Sequence, residues 1–473
     1  MVCRRTPWPK GTPMSIQSPG GRLSGPTAQS VRLAADAAPR PATPLVRATP
    51  YGDILAFLAS VMIVLIYSQS WAAPMTGYGV RSADFLRNGF YPAYALAIGL
   101  VLTRPGTALK ALAGAPLLIL LLVLTAVSLS WSILPDVTLR RVMALLATTL
   151  GGVALAARWR WITLTEIFAT AMAVMMILSL LLAVLLPDWG RMQELFPGAW
   201  RGLWLEKNAL GENMGLAAIC MTAAAIMVPQ RRRLWLVGAA VAAAMVLMST
   251  SKTSLVVLVL SFASMGFVAL VQGGPKRAII GTWLAIVVFC AALLVIATRS
   301  DLIFDLLGKD ATLTGRTEIW SGILHQMQER PWTGFGYGAV WNDESAGGPQ
   351  AWIAHEARFS AAHAHSGWLE VYLALGLPGV ILLAAWMIEM WGRSLWAAYA
   401  RPSGWLLMPM MTAYTLTMLT ESITMNWHNI RWVLFVALAL KAVIGDQDDP
   451  APVVRSIART RRPARTVPAP HRL

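Results

Sequence analysis

Two histidines and a glutamate that lie close together in the chain are the side chains best suited to proton transfer. His363 and His365 directly precede a long apolar segment, and Glu370 lies just inside it. Histidine titrates nearest to neutral pH, so His365 suits the removal of a proton from a hydroxyl group, and Glu370 suits the orientation of an imidazole. A histidine at a helix start and a carboxylate satisfied by its neighbours are the structural alternatives. The pair of histidines leaves open which imidazole is the base.

Four basic side chains are suited to binding an anion. Each lies beside small or hydroxyl-bearing residues, and the four are Arg201, Lys207, Lys252 and Arg316. Guanidinium groups match phosphate oxygens bidentately, and ammonium groups add positive charge. The alternative is that each is an ordinary basic side chain reaching from an apolar surface into water. We predict an anion site formed by these four residues.

Metal binding is a weaker interpretation of the histidines. His355, Glu356, His363 and His365 offer several ligating groups, but their spacing matches no standard zinc pattern. The three cysteines form no CxxC pair, so a cysteine zinc site is not expected either. We therefore assign no metal ligands.

The elements that position these side chains are predicted to cross a membrane. Hydrophobic residues make up 56% of the chain and charged residues 13%, and the mean hydropathy is +0.57. Soluble domains have about 25% charged residues, so this composition excludes a soluble enzyme, a disordered chain and a nucleic-acid-binding domain despite the net charge of +16. Apolar stretches of about 17–25 residues, the length that a bilayer core requires, predict an all-α polytopic membrane protein with about 12 transmembrane helices. These spans are predicted near residues 52–70, 89–103, 114–131, 141–157, 162–186, 211–229, 233–249, 253–271, 278–297, 366–391, 404–422 and 428–445.

The distribution of basic residues predicts the orientation of these spans. Most of the 39 lysines and arginines fall in the two tails and in alternate loops, which places both termini in the cytoplasm by the positive-inside rule. The long loop then lies outside, with short helices such as 318–328 and a tight glycine-rich turn at 334–338 that packs the loop onto the bundle. The predicted organisation is a disordered tail (1–50), transmembrane helices one to nine (51–297), a large outer loop (298–365), helices ten to twelve (366–445) and a disordered basic tail (446–473).

Five short segments in this order resemble the O-antigen ligase and polymerase superfamily, closest to exopolysaccharide polymerases of the succinoglycan type. The segments are residues 201–211, 249–254, 313–320, 331–338 and 363–379. The resemblance implies an all-helical membrane glycosyltransferase of the C type, acting at the periplasmic face of the bacterial inner membrane. It implies a glycan donor on undecaprenyl diphosphate, a glycan or lipid acceptor, no cofactor and no required metal.

The resemblance also implies roles for individual residues. Arg201 and Arg316, with help from Lys207, hold the diphosphate leaving group, and His365 activates the acceptor hydroxyl for an inverting displacement. The family often has Asn after this histidine, whereas this chain has Ser366. That departure puts the acceptor contacts at this position in doubt.

Three functions remain in view. The first is polymerisation of lipid-linked repeats into exopolysaccharide or O-antigen, with a chain-length regulator as a further partner. The second is ligation of the glycan to lipid A core or to protein. The third, from another class, is a twelve-helix transporter or a flippase for lipid-linked glycan; the sequence shows no six-plus-six repeat of the kind that such transporters carry.

Overall fold

The computed structural model describes residues 50–78, 83–194, 196–298 and 315–446. Within these ranges the chain is helical, and its one extended pairing is the isolated bridge between Arg191 and Trp200. The predicted tail at 1–50 and most of the predicted tail at 446–473 lie outside the described residues. The prediction of an all-α membrane protein is therefore confirmed for the part of the chain described.

In the described ranges the bundle is built from fifteen helices of about two turns or more. They are α1 (Pro50–Tyr67), α2 (Tyr91–Thr103), α3 (Pro105–Ala113), α4 (Pro116–Val127), α5 (Pro135–Arg158), α6 (Trp161–Leu185), α7 (Lys207–Met227), α8 (Arg232–Met248), α9 (Lys252–Val271), α10 (Pro275–Thr298), α11 (Arg316–Gln326), α12 (Pro349–Ala357), α13 (Gly367–Ala400), α14 (Gly404–Thr420) and α15 (Ile430–Ile444). The short helix Ala83–Gly89, which precedes α2, is not counted among them. Proline opens many of the fifteen because the first helical N–H has no intrahelical partner to lose.

The twelve predicted spans all fall on helices, but fewer helices are long and apolar enough to cross a membrane unaided. Seven in the described ranges meet that standard, and α3 with α4 would make an eighth although the pair is bent by 86°. Helix α15 has 15 residues, which at 1.5 Å per residue is about 23 Å, short of a bilayer core of about 30 Å. The count of twelve stays a prediction.

Helix α15 forms the centre of the bundle, and α10 lies at its edge. The side chains of α15 from Ile430 to Lys441 are almost all buried, Arg431 being the exception, and Trp432 packs against Trp386 of α13. Only 6% of the most apolar window of α10 is buried inside the protein. An apolar helix exposed on nearly every side is suited to lipid rather than water.

The glycine-rich turn packs onto the bundle, as the sequence predicts, and it does so at a break in α13 that the sequence analysis does not predict. Gly376 has φ 67° and ψ −164° inside α13, and a Cβ there would lie 2.4 Å from the carbonyl carbon of Trp332. The freed backbone groups are used by the turn: Phe335 N–H donates to Leu373 O (2.9 Å) and Gly336 N–H to Ala374 O (3.1 Å). These bonds fix the outer loop to the helix that carries the histidine segment.

The C-terminal boundary differs from the prediction, which starts a solvated tail at residue 446. Asp446 Oδ2 accepts a hydrogen bond from Trp161 N–H (2.9 Å), and its carboxylate pairs with Lys441, both side chains being 6% exposed. A lysine buried in a helix requires a counter-ion. The folded chain therefore includes Asp446.

Candidate active site

The candidate site lies where the outer loop meets the starts of α11 and α13 and the end of α14. His363, Glu370 and Glu421 line one wall of a cavity of about 460 Å³. Arg316 contacts Glu421 from the start of α11, and His365 contacts it from the segment before α13. Two of the predicted chemical groups, Arg316 and His365, therefore meet at a carboxylate that the sequence analysis did not select.

Glu421 is the residue that joins the basic groups of the site. Its Oε1 accepts a hydrogen bond from Arg316 Nη2 at 2.8 Å, and its Oε2 lies 3.3 Å from His365 Nδ1. Burial alone would raise the pKa of the Glu421 carboxyl, but the hydrogen bond from His365 and the charge of Arg316 lower it below its usual range. Glu421 is therefore an anion at neutral pH.

The contact with Glu421 sets the tautomer of His365. An ionised carboxylate only accepts hydrogen bonds, so His365 Nδ1 must be the protonated nitrogen. The Nε2 lone pair is then available to accept a proton. His365 is held with φ 51°, a left-handed conformation that non-glycine residues adopt rarely and that is enriched at functional positions.

His363 lies beside His365 but in a less suitable environment for a base. The two ring centroids are 4.0 Å apart, and the Nδ1 of His363 is buried without a hydrogen-bond partner among the described residues. Burial, followed by the electrostatic effect of the neighbouring His365, lowers the pKa of His363 to about 4. At neutral pH His363 is uncharged and a weak proton acceptor.

Glu370 does not orient either imidazole through a hydrogen bond in the described structure. Its carboxylate accepts from Ala364 N–H (2.7 Å), Trp341 Nε1–H (2.9 Å) and the Ser422 hydroxyl (2.8 Å). The structural alternative, a carboxylate satisfied by its neighbours, therefore describes it better than a catalytic role. Because Ala364 separates the two histidines, Glu370 fixes the backbone that carries them.

Two of the other predicted basic residues make their contacts elsewhere. Arg201 donates to the carbonyls of Trp189 (2.8 Å) and Asp188 (3.2 Å), and its guanidinium lies 4.1 Å from the Tyr78 ring centroid. Lys207, at the start of α7, donates to the Thr250 hydroxyl at 3.1 Å. That hydroxyl belongs to the turn before Lys252, the first residue of α9.

The cavity is also lined by charged residues that the sequence analysis did not select. Glu212 of α7 and Arg431 of α15 form an ion pair in which each side chain is 13% exposed, and Arg141 of α5 also lines the cavity. Charged residues inside predicted spans are themselves a signal of function, and that signal could have identified Arg431. Glu421 lies at the end of the predicted span 404–422, so the same signal applies to it, although no motif surrounds it.

A narrow apolar crevice adjoins the polar cavity. It is lined mainly by aliphatic, methionine and aromatic side chains of α7, α9, α14 and α15, and it shares Glu212, Ile423 and Arg431 with the cavity. The two spaces therefore meet at the Glu212–Arg431 pair. An amphipathic ligand would find polar groups on one side of this pair and apolar groups on the other.

The weaker metal interpretation does not match the arrangement of its residues. Glu356 accepts a hydrogen bond from the Ser321 hydroxyl at 2.6 Å and lies 3.5 Å from His325 Nδ1, so it faces α11. Among the residues that the structure describes, no three His, Cys, Asp or Glu side chains are grouped to hold a metal ion.

His428, in the loop between α14 and α15, predicts a pH dependence of stability. Its ring stacks on Phe90 with centroids 3.8 Å apart, and its Nε2 contacts the Tyr94 hydroxyl. Burial, followed by the charge of Arg141, lowers the pKa of His428 to about 4. Between about pH 6.5 and pH 4 the unfolded chain binds more protons at this residue, so stability falls as the pH falls.

The expected result is a melting temperature that decreases from about pH 7 to about pH 4.5, with a shallower decrease in His428→Asn. Asparagine suits the test because it tolerates the left-handed backbone at φ 58°. His428 alone contributes up to about 1.4 kcal/mol per pH unit. Equal pH slopes for the wild type and the variant, measured by thermal unfolding in detergent, would contradict the assignment.

Several residues of this site lie in a segment that is similar to a known protein family. Residues 237–384 match the family model described as O-antigen ligase; this segment carries Lys252, Arg316, His363, His365 and Glu370 and ends before Glu421. The chain is also 32% identical over 198 residues to "Exopolysaccharide production protein ExoQ" of Rhizobium meliloti (strain 1021), a match covering 38% of this chain. The chain spans 43% of the length of that relative. The resemblance predicted from the short motifs is thus confirmed: residues 237–384 match the O-antigen ligase family model, and the protein is a multi-pass membrane protein that is all-helical in the described ranges.

Proposed function

We propose that the protein is a glycosyltransferase that polymerises lipid-linked oligosaccharide repeats into an exopolysaccharide. The observation that carries this proposal is the His365–Glu421–Arg316 arrangement, in which Glu421 lines a polar cavity and contacts both basic groups. It supplies an oriented proton acceptor beside a fixed cation, which are the two groups that a displacement of a diphosphate requires.

In the proposed reaction His365 acts as the general base. Its Nε2 takes the proton of the acceptor hydroxyl while that oxygen attacks the anomeric carbon of the donor sugar. The bond from the anomeric carbon to the diphosphate oxygen breaks, and the diphosphate leaves with the electron pair. One in-line step inverts the anomeric centre, and none of the residues named here requires a metal ion or a cofactor for it.

The donor is proposed to be a glycan on undecaprenyl diphosphate. The junction of polar cavity and apolar crevice at Glu212 and Arg431 supports an amphipathic substrate with its tail between helices. We retain Arg201, Lys207, Lys252 and Arg316 as proposed diphosphate-binding residues, because Lys207 and Lys252 flank the turn at Thr250 and Arg316 lies in the site.

Polymerisation is favoured over ligation by the similarity to an exopolysaccharide production protein. The proposed setting is the bacterial inner membrane, with both termini in the cytoplasm and the site at the periplasmic face. This orientation follows the positive-inside distribution of lysine and arginine. The acceptor is then a second glycan, and a chain-length regulator is a proposed partner.

Complementation of a strain deleted for this gene tests the proposal. With His365→Ala or Arg316→Ala we expect loss of high-molecular-weight polysaccharide and persistence of single repeat units, because general-base catalysis contributes a factor of about 10²–10⁴. Polysaccharide size is measured on gels beside an immunoblot of membrane protein.

A control and two contrary outcomes complete the experiment. His325→Ala, which removes an exposed histidine of α11, is expected to leave polymer length unchanged. Accumulation of long lipid-linked chains that fail to reach a lipid or protein acceptor would indicate a ligase instead. Wild-type polymer from both site variants at normal membrane levels would contradict the catalytic assignment and favour a transporter.

A further inference from the structure

Arg141 is a half-buried cation in the cavity wall for which the described chain provides no carboxylate. Its Nη2 lies 3.4 Å from Asn342 Oδ1, and its guanidinium carbon lies 4.3 Å from the Trp427 ring centroid. Arg316 and Arg431, by contrast, each contact a glutamate. A partly desolvated guanidinium with five N–H donors is poorly compensated by one long amide contact and a ring face.

The groups around Arg141 are those that recognise a saccharide. Trp341, Trp427, Asn342, Asn426 and Asn429 line the same cavity. Aromatic faces pack against the carbon side of sugar rings, and amide side chains both donate and accept hydrogen bonds. A cavity of about 460 Å³ falls in the range that holds a small organic ligand.

The glycine-rich turn holds Arg141 in position. Gly338, with φ 69°, lies so close that a Cβ there would be 3.0 Å from Arg141 Cγ and 3.3 Å from the Trp427 ring. The neighbouring Arg140 is exposed and does not line the cavity. Arg141 is therefore fixed before any ligand arrives, which is the condition for a specific binding group.

We propose that Arg141 binds an anionic group of the substrate and thereby determines which substrates are accepted. The anion is either a carboxylate on an acidic sugar or the diphosphate of the lipid-linked donor, and in both cases the guanidinium forms charge-assisted hydrogen bonds with it. This inference rests on the proposed function in one respect, which is that the ligand is a lipid-linked glycan.

Binding of two anionic probes to the purified full-length chain tests the proposal. Trigalacturonate represents an acidic saccharide, inorganic diphosphate represents the carrier headgroup, and maltotriose is the neutral control. Dissociation constants are obtained from the shift in melting temperature with probe concentration. We expect Arg141→Gln to weaken binding of one anionic probe by about tenfold or more, since a charged hydrogen bond is lost.

Arg140→Gln is the matched control, because it removes the same charge from the same helix outside the cavity, and it is expected to bind like the wild type. An Arg141-dependent loss for trigalacturonate alone assigns the anion to the sugar, and a loss for diphosphate assigns it to the carrier. Equal binding of both probes by Arg141→Gln and Arg140→Gln would overturn the proposal.

A second variant keeps the test decisive if Arg141→Gln fails to fold. Asn342→Asp leaves Arg141 in place and supplies an internal carboxylate at its guanidinium, so we expect a similar weakening of about tenfold. Wild-type binding by Asn342→Asp would also overturn the proposal. Binding needs no glycan transfer, so these results stand apart from the complementation results that test the proposed function.

Discussion

Glu421→Gln is expected to lower the rate of glycan transfer by about 10²–10⁴, although the substitution removes only a charge. The amide cannot accept hydrogen bonds at both terminal atoms, so it satisfies either Arg316 or His365 Nδ1–H and repels the other with its N–H groups. If His365 turns or changes tautomer, Nε2 carries the proton and the imidazole can no longer act as a base. The ion pair of 2.8 Å with Arg316 is weakened at the same time.

The measurement is polymer formation from lipid-linked repeats by the purified protein in proteoliposomes. We expect the loss mainly in the turnover number, because Glu421 orients His365 for the proton transfer. Glu356→Gln, which makes the same change in the outer loop at a carboxylate paired with His325, is the matched control. A Glu421→Gln rate close to that of the wild type would show that His365 needs no carboxylate, and would contradict the assignment.

The sequence predicts those residues of the site that lie in short, continuous segments of the chain. His363, His365 and Arg316 lie in segments whose residue types and order carry the family pattern, and the structure brings Arg316 and His365 to one carboxylate. That carboxylate, Glu421, lies far along the chain after α14. A contact between residues so distant in sequence is set by helix packing, which a single sequence does not encode in any local pattern.

The roles of Glu370 and Arg141 show a different limit of sequence reasoning. Glu370 lies five residues after His365, and this spacing favours a partnership between them, yet three donors of the loop satisfy its carboxylate instead. Arg141 lies inside a predicted span and shows no motif, so its place in the cavity depends on how α5 packs against the outer loop. Periodicity predicts the helices but not which of their polar residues share a cavity.

The membrane architecture was predicted more fully than the site. Apolar length alone identified segments that all fall on helices, because a helix in lipid satisfies its own backbone hydrogen bonds. The break at Gly376 and the bend of 86° between α3 and α4 were not predicted. The break at Gly376 depends on the outer-loop turn, whose backbone groups pair with those that the break frees.

Removing one partner of the Glu212–Arg431 pair is expected to destabilise the fold more than any exposed substitution. Arg431→Met leaves the Glu212 carboxylate without its cation in a site where both side chains are 13% exposed, which costs about 3–5 kcal/mol in the free energy of unfolding. The double variant Glu212→Met/Arg431→Met removes both charges, and we expect it to recover stability to within about 1 kcal/mol of the wild type.

The double variant also separates a structural role of the pair from a role in binding. Because the pair lies where the polar cavity meets the apolar crevice, we expect the stable double variant to have lost glycan transfer, since no cation then faces the donor diphosphate there. Arg393→Met is the control: its pair with Glu389 is more exposed, at 34% and 24%, and its loss costs at most about 1 kcal/mol. Unfolding in detergent and polymer formation are measured on the same preparations. Full transfer by the double variant would assign the pair to the stability of the bundle alone and leave the diphosphate to the four proposed binding residues Arg201, Lys207, Lys252 and Arg316.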